Sequence, residues 1–158
     1  MKWSDIASQQ CSIARALSVV GDRWTMLVIR ELFNGNRRFG GLLTETGAPP
    51  AILSERLAGL ERDGVVTKRP YSQRADRFEY RLTAQGRDLY PVLVSLMAWG
   101  DRWMSDGRPP PVELRHTTCG HHTTPTLHCS ACGGTIDPRE MQRDVGVDAD
   151  ADRTTPVP

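Results

Sequence analysis

Leu17, Val20, Trp24, Leu27, Val28 and Leu32 return at helical spacing and are interrupted at Gly21-Asp22. The pattern predicts two helices meeting at a Gly C-cap, with Asp22 as the N-cap of the second and Gly35 as its end. Phe39, Leu42 and Leu43 predict a short third helix, and Gly47-Ala48-Pro49-Pro50 a turn that places proline where a helix begins. Leu53, Leu57 and Leu60 put one apolar stripe on a fourth helix that stops at Asp63-Gly64, leaving Ala51, Glu55, Ala58 and Arg62 on the opposite face. After Gly64 the period changes from helical to two. Val65-Val66 opens one strand; in a second, Phe78, Tyr80 and Leu82 alternate with Arg77, Glu79 and Arg81, with Ser72–Asp76 as the hairpin tip. From Ala84 a long helix returns, banded by Leu89, Val92, Leu93, Leu96, Met97, Trp99, Trp103 and Met104, and Pro91 inside it predicts a kink.

The fold class that follows is mainly α with a small β-hairpin, an α+β winged helix-turn-helix. Arg108-Pro109-Pro110-Pro111 breaks the last helix and reads as a stiff linker. The domain expectation is 1–108 for the winged helix, 109–115 for the linker, 116–140 for a small Cys/His segment, and 141–158 for a tail. From about Val145 that tail is acidic, lacks aromatics and is expected to be disordered.

Composition then narrows the classes. Hydrophobic residues make up 39% and charged residues 25% of 158 residues, a globular balance with room for one ordinary core. No apolar run approaches the roughly 18 residues of a membrane span, and the start lacks the pattern of an export signal, so the expectation is a cytoplasmic protein with no membrane partner. Net charge is only +1, but residues 1–112 carry 16 Lys+Arg against 12 Asp+Glu while residues 113–158 carry 4 against 7. A basic body with an acidic tail is compatible with a polyanion partner. No Walker or dinucleotide glycine fingerprint occurs, and the deaminase pattern around a Cys-x-x-Cys is absent, so no enzyme is expected.

Placement of the cations matters more than their sum. Arg37 and Arg38 precede the third helix, Arg56 and Arg62 lie on the fourth, and Lys68, Arg69, Arg74, Arg77 and Arg81 lie on the hairpin. A fourth helix in a major groove about 12 Å wide, with the hairpin reaching the flanking backbone, would bring these charges to double-stranded DNA. The competing reading is an ordinary solvated surface on a protein-interaction module.

Several motifs in fixed order carry a more specific signal: Cys11-Ser-Ile-Ala-Arg-Ala-Leu, Gly21-Asp-Arg-Trp-Thr-Met-Leu, Arg30-Glu-Leu, Arg37-Arg-Phe-Gly, Leu53-Ser-Glu-Arg-Leu, Leu60-Glu-Arg-Asp-Gly-Val-Val, Glu79-Tyr-Arg-Leu-Thr and Trp99-Gly. Over about residues 11–105 the chain closely resembles the HxlR family of bacterial winged-helix regulators, related in design to MarR-type proteins. The resemblance implies a homodimer on a pseudo-palindromic operator, usually a repressor, answering a small-molecule or redox signal. It implies dimerisation through the first helix and the helix after the wing, which fits the apolar Leu96, Trp99 and Trp103. The expected DNA-binding residues are Arg37, Arg38, Pro50, Ala51, Ser54, Glu55, Arg56, Lys68, Arg74 and Arg77. The chain departs from the family at Pro49-Pro50-Ala51, where relatives tend to carry a Ser cap and a basic or polar residue. Base readout is left to Ser54, Glu55 and Ala58, with Ala51 offering at most a thymine methyl contact and Arg56 packing or touching phosphate.

Two further features stand apart. Cys11, near the start of the first helix, is a candidate redox-sensing thiol, as in some relatives, or else a small buried hydrophobe. Cys119-Gly-His121-His122 and Cys129-Ser-Ala-Cys132-Gly133 have the spacing of two half-sites of a miniature zinc ribbon, giving a structural Zn2+ as the one expected cofactor. Cys129 and Cys132 form one half. In the other, Cys119 pairs with His121 or, alternatively, His122, and His116 and His128 lie close enough in sequence to keep the fourth ligand open.

Overall fold

The structure is a computed structural model that describes residues 11–71, 77–142 and 144. The expected hairpin tip with Arg74 and the tail from residue 145 lie outside the described residues. The chain divides into two units, Met1–Pro110 and Pro111–Pro158.

In the first unit the order is α1 (Ser12–Val20), α2 (Thr25–Phe33), α3 (Phe39–Thr46), α4 (Pro50–Arg62), β1 (Val66–Pro70), β2 (Phe78–Leu82), α5 (Ala84–Arg87) and α6 (Tyr90–Trp103). The apolar periodicities converge on one core of Val28, Ile29, Leu32, Leu42, Ala48, Leu53, Leu57, Leu60, Val65 and Val66. Each fully buried leucine of that set contributes about 1.5–3 kcal/mol relative to exposure. β1 and β2 pair antiparallel, with Val66 opposite Leu82 and Pro70 opposite Phe78.

The turns follow the local chemistry. Gly47, at φ 67, stops α3, and its N–H donates to the Leu43 carbonyl at 3.1 Å. Buried Thr46 donates its hydroxyl to Leu42 O and accepts from the Ala48 N–H, tying the turn to the helix behind it. Pro49 is extended and Pro50 opens α4, where a missing N–H costs no helical hydrogen bond. Gly64, at φ 75, ends the α4 region as expected.

Two expectations are corrected. Gly21 is the C-cap of α1 as expected, at φ −77, but the N-cap of α2 is Trp24 rather than Asp22, whose Oδ1 accepts the Trp24 N–H at 3.0 Å in the turn before the helix. The helix after the wing is not one kinked rod. α5 closes at Arg87, a turn passes through Asp88 and Leu89, and α6 starts at Tyr90 with Pro91 in its first turn. Proline there removes no helical hydrogen bond, so a break satisfies the backbone better than a kink.

In the second unit β3 (Leu114–Arg115) pairs antiparallel with β4 (His122–Thr123), and an isolated bridge joins His128 to Thr135. β3 occupies the end of the stretch expected as linker, because its partner strand lies just beyond the Cys119 turn.

Candidate nucleic-acid interface

The α3-turn-α4 pair presents an exposed α4 face. Leu53, Leu57 and Leu60 are buried, which turns Ala51, Ser54, Glu55, Ala58 and Arg62 to the surface, with Pro50 exposed at the helix start. No side chain caps that N-terminus and no acidic residue lies in its first turn, so the positive end of the peptide dipoles is left open.

Arg37 and Arg38 are brought to the wing by a device the sequence reading missed. The backbone there is extended, Arg38 forms a β-bridge with Glu79, and the Tyr80 N–H donates to Arg37 O at 2.7 Å. The two residues thus form a third edge of the hairpin sheet. Behind them, buried Glu31 accepts hydrogen bonds from Arg30 Nε, Asn34 Nδ2 and Asn36 Nδ2, at 2.8, 3.4 and 2.5 Å, which fixes the loop into Arg37. The Arg38 guanidinium lies 4.5 Å from the Tyr71 ring centroid, so Tyr71 belongs to the same surface. An exposed aromatic next to a basic strand was the signal available for it.

The cations do not all share this surface. Lys68 and Phe78 lie together, with the ammonium 4.2 Å from the ring centroid. Arg81 is paired with Glu79 at 2.6 Å, and Arg69, opposite Glu79, lies on the face where Arg38 bridges Glu79, whereas strand alternation puts Lys68 on the other face. Arg56 points into the domain: Nε is 3.5 Å from Asp22 Oδ1 without hydrogen-bond geometry, and Nη2 is 3.0 Å from Glu55. It braces α4 against the turn ahead of α2 and is not presented as Arg37, Arg38 and Arg77 are, all three exposed. Tyr80, half-buried below the wing, has its phenol held above the ordinary value, first by burial and then by the Glu61 carboxylate.

Leu96, Trp99 and Trp103 on α6 are 51%, 55% and 63% exposed, and Ile13 on α1 is 71% exposed, so this apolar area is not consumed by the core. Cys11 is exposed at the N-cap position of α1.

The expected metal residues are not gathered into one group. Among the described residues no three His, Cys, Asp or Glu side chains stand close enough together to hold a metal ion. Cys119 Sγ lies 3.4 Å from His116 Nδ1, while His122 pairs with Glu113 at 3.1 Å and His121 uses its carbonyl to accept from the His116 N–H. The Cys129 thiol is held below its ordinary value by the backbone N–H groups of Cys132 and Ala131 and by the Cys132 side chain.

A family model described as HxlR-like helix-turn-helix matches residues 19–108. An HTH-type transcriptional regulator of Mycobacterium tuberculosis is 47% identical over 135 residues, 85% of either chain. That match is longer than the first unit and so runs into the second. The crystal structure of PA1607, a candidate transcription factor, superposes with a TM-score of 0.79 at 30% identity, over 89% of this chain and 98% of that one. The redox regulator HypR in its oxidised form superposes with a TM-score of 0.55 at 29% identity, over 58% of this chain and 96% of that one.

Proposed function

Since the chain belongs to the HxlR-like helix-turn-helix family and is by that membership a transcriptional regulator, we propose that it acts as a homodimeric repressor. In this reading it binds a pseudo-palindromic operator and releases it on a small-molecule or redox signal. The observations that carry the reading are the exposed face of α4 and, separately, the bridge that fixes Arg38 to Glu79 on β2. Together they offer one element of groove-reading size and cations of phosphate-contacting reach.

Ala51, Ser54, Glu55 and Ala58 read base edges in this scheme, and the uncapped start of α4 at Pro50 approaches a phosphate. Glu55 is suited to accept from a cytosine amino group once it leaves Arg56. Arg37, Arg38, Lys68, Arg74 and Arg77 supply sequence-independent contacts, and Arg56 acts by bracing α4. The dimer forms through α1 and the Leu96–Trp103 stretch of α6. No helix among the described residues is long and apolar enough to cross a membrane; a regulator of this kind works in the cytoplasm, where its operator is.

An electrophoretic shift assay with the DNA upstream of the chain's own gene tests the proposal. A retarded complex that persists against excess unrelated DNA is expected, with reduced sequence preference for Ser54→Ala and Glu55→Ala. Binding that excess unrelated DNA abolishes would overturn it.

The redox branch rests on Cys11, exposed at the N-cap position of α1 and so within reach of an oxidant. The neighbour HypR is a redox regulator. Diamide should release DNA from the parent chain and leave Cys11→Ser bound. An identical response of the two removes Cys11 from the mechanism.

A further inference from the structure

The second unit contains the same turn twice. In the first copy the His116 N–H donates to His121 O at 2.9 Å and the Gly120 N–H to His116 O at 2.7 Å, with Gly120 at φ 74. In the second, the Cys129 N–H donates to Gly134 O at 2.7 Å and the Gly133 N–H to Cys129 O at 2.8 Å, with Gly133 at φ 73. The flanks match as well: Arg115 pairs with His122 in one, and His128 bridges to Thr135 in the other. Every corresponding residue is thirteen positions apart, and the sequence repeats with the structure, as Leu114, Cys119 and Gly120 recur as Leu127, Cys132 and Gly133.

This correspondence assigns chemistry. Cys129 and Cys132 are the two soft donors of the second turn, and their counterparts in the first are His116 and Cys119. Those two side chains already converge, with 3.4 Å between Nδ1 and Sγ. His121 corresponds to Gly134, a position that has no donor in the second turn, and His122 corresponds to Thr135 and is engaged with Glu113. His128 corresponds to Arg115, and both its ring nitrogens are occupied, Nδ1 by Gly133 O at 3.1 Å and Nε2 by Thr126 Oγ1 at 2.9 Å.

We propose that the second unit is a structural metal module whose ligands are His116, Cys119, Cys129 and Cys132, each turn supplying one preformed pair and the ion drawing the two pairs together. A set of three thiolates and one imidazole suits zinc in tetrahedral geometry. The unit also lacks the alternative source of stability: none of its described residues from 111 to 142 is buried. A segment of this size without a core needs a staple, and metal binding then doubles as folding free energy.

The test uses the full chain, purified without chelator, for zinc content, and the chelator-stripped, reduced chain titrated with Co(II). Zinc near one per chain and a thiolate-to-cobalt charge-transfer band are expected for the parent, His121→Ala and His122→Ala. Both should be lost in His116→Ala and Cys129→Ser. His116→Cys should keep zinc, because the second turn already uses Cys at that place, and its cobalt spectrum should shift toward four thiolates. Helical circular dichroism from the first unit controls for folding of every variant. Loss of metal in His121→Ala or His122→Ala, full retention in His116→Ala, or a parent chain with neither zinc nor the cobalt band would overturn the assignment.

Discussion

At Gly86 the first helical turn after the wing presses against the strand that enters it. A Cβ there would overlap the Val65 carbonyl oxygen and touch Leu82 Cδ2 at 3.0 Å, and the obstacle is main chain that cannot rotate away. Thr83 holds the approach from the other side, donating to Gly64 O at 2.6 Å and accepting the Gly86 N–H at 3.1 Å. Gly86→Ala should therefore destabilise the first unit by about 3 kcal/mol, at the upper end of overpacking costs. A urea midpoint equal to that of the parent would show that the approach is looser than drawn. Tyr80 gives a pH-dependent counterpart. Because the folded chain raises its phenol pKa above 10.0, its contribution is fully present below that value and is lost as pH climbs through the raised one. The urea midpoint of the parent should fall more steeply above pH 10.0 than that of Tyr80→Phe, and parallel falls would refute this. The roles of Thr83 and Tyr80 were not legible in sequence, although both residues stand in the Glu79-Tyr-Arg-Leu-Thr motif. A motif marks a position without saying whether a hydroxyl caps, packs or titrates. Glu31 is the same case: Arg30-Glu-Leu is visible in the chain, but a buried carboxylate with three N–H donors requires Asn34 and Asn36 to arrive from the following loop.

Among the elements, periodicity placed the helices and the hairpin well because each apolar stripe has a single face to bury. The misses lie where backbone hydrogen bonding, not hydrophobic pattern, decides: the break before Pro91, and the Arg37-Arg38 edge that completes the wing sheet. A two-residue bridge has no period to detect. That bridge nevertheless sets the electrostatics of the surface, since it fixes Arg38 over Tyr71 and lines up Arg37 on the hairpin side. If both contact phosphate, Arg37→Ala and Arg38→Ala should each flatten the dependence of log affinity on log salt by about 0.9, equally on specific and unrelated DNA. Ser54→Ala and Glu55→Ala should instead change the ratio between sequences and leave the slope alone. Arg56→Ala separates bracing from contact: because Arg56 is drawn to Asp22 and Glu55, its loss should lower stability while leaving the slope unchanged. A slope lowered by about 0.9 would move Arg56 to the interface.

For the whole molecule, the charge asymmetry along the chain corresponds to a division into two units, but charge alone could not tell a tail from a module. The repeated turn of the second unit could have been found by aligning the chain with itself, since Leu114, Cys119 and Gly120 recur thirteen residues on. Taken alone, the Cys119-Gly-His121-His122 run offers His121 or His122 and leaves His116 open beside them. In the first unit the α6 band is exposed, and a second copy is the occupant that the proposed pseudo-palindromic operator would call for. Two linked reading helices gain about a hundredfold to ten-thousandfold in affinity over one, without any new contact, provided the spacing matches. Leu96→Glu with Trp99→Glu should therefore convert the particle from dimer to monomer mass in light scattering, while the core residues that do not share that face keep the fold intact. The same variant should bind a full operator no better than a half-site, with the parent preferring the full operator by at least a hundredfold. A parent chain of monomer mass at micromolar concentration would remove the dimer, and with it the need for operator symmetry. A variant that stays dimeric would shift the interface away from this band and toward the N-terminal face marked by Ile13.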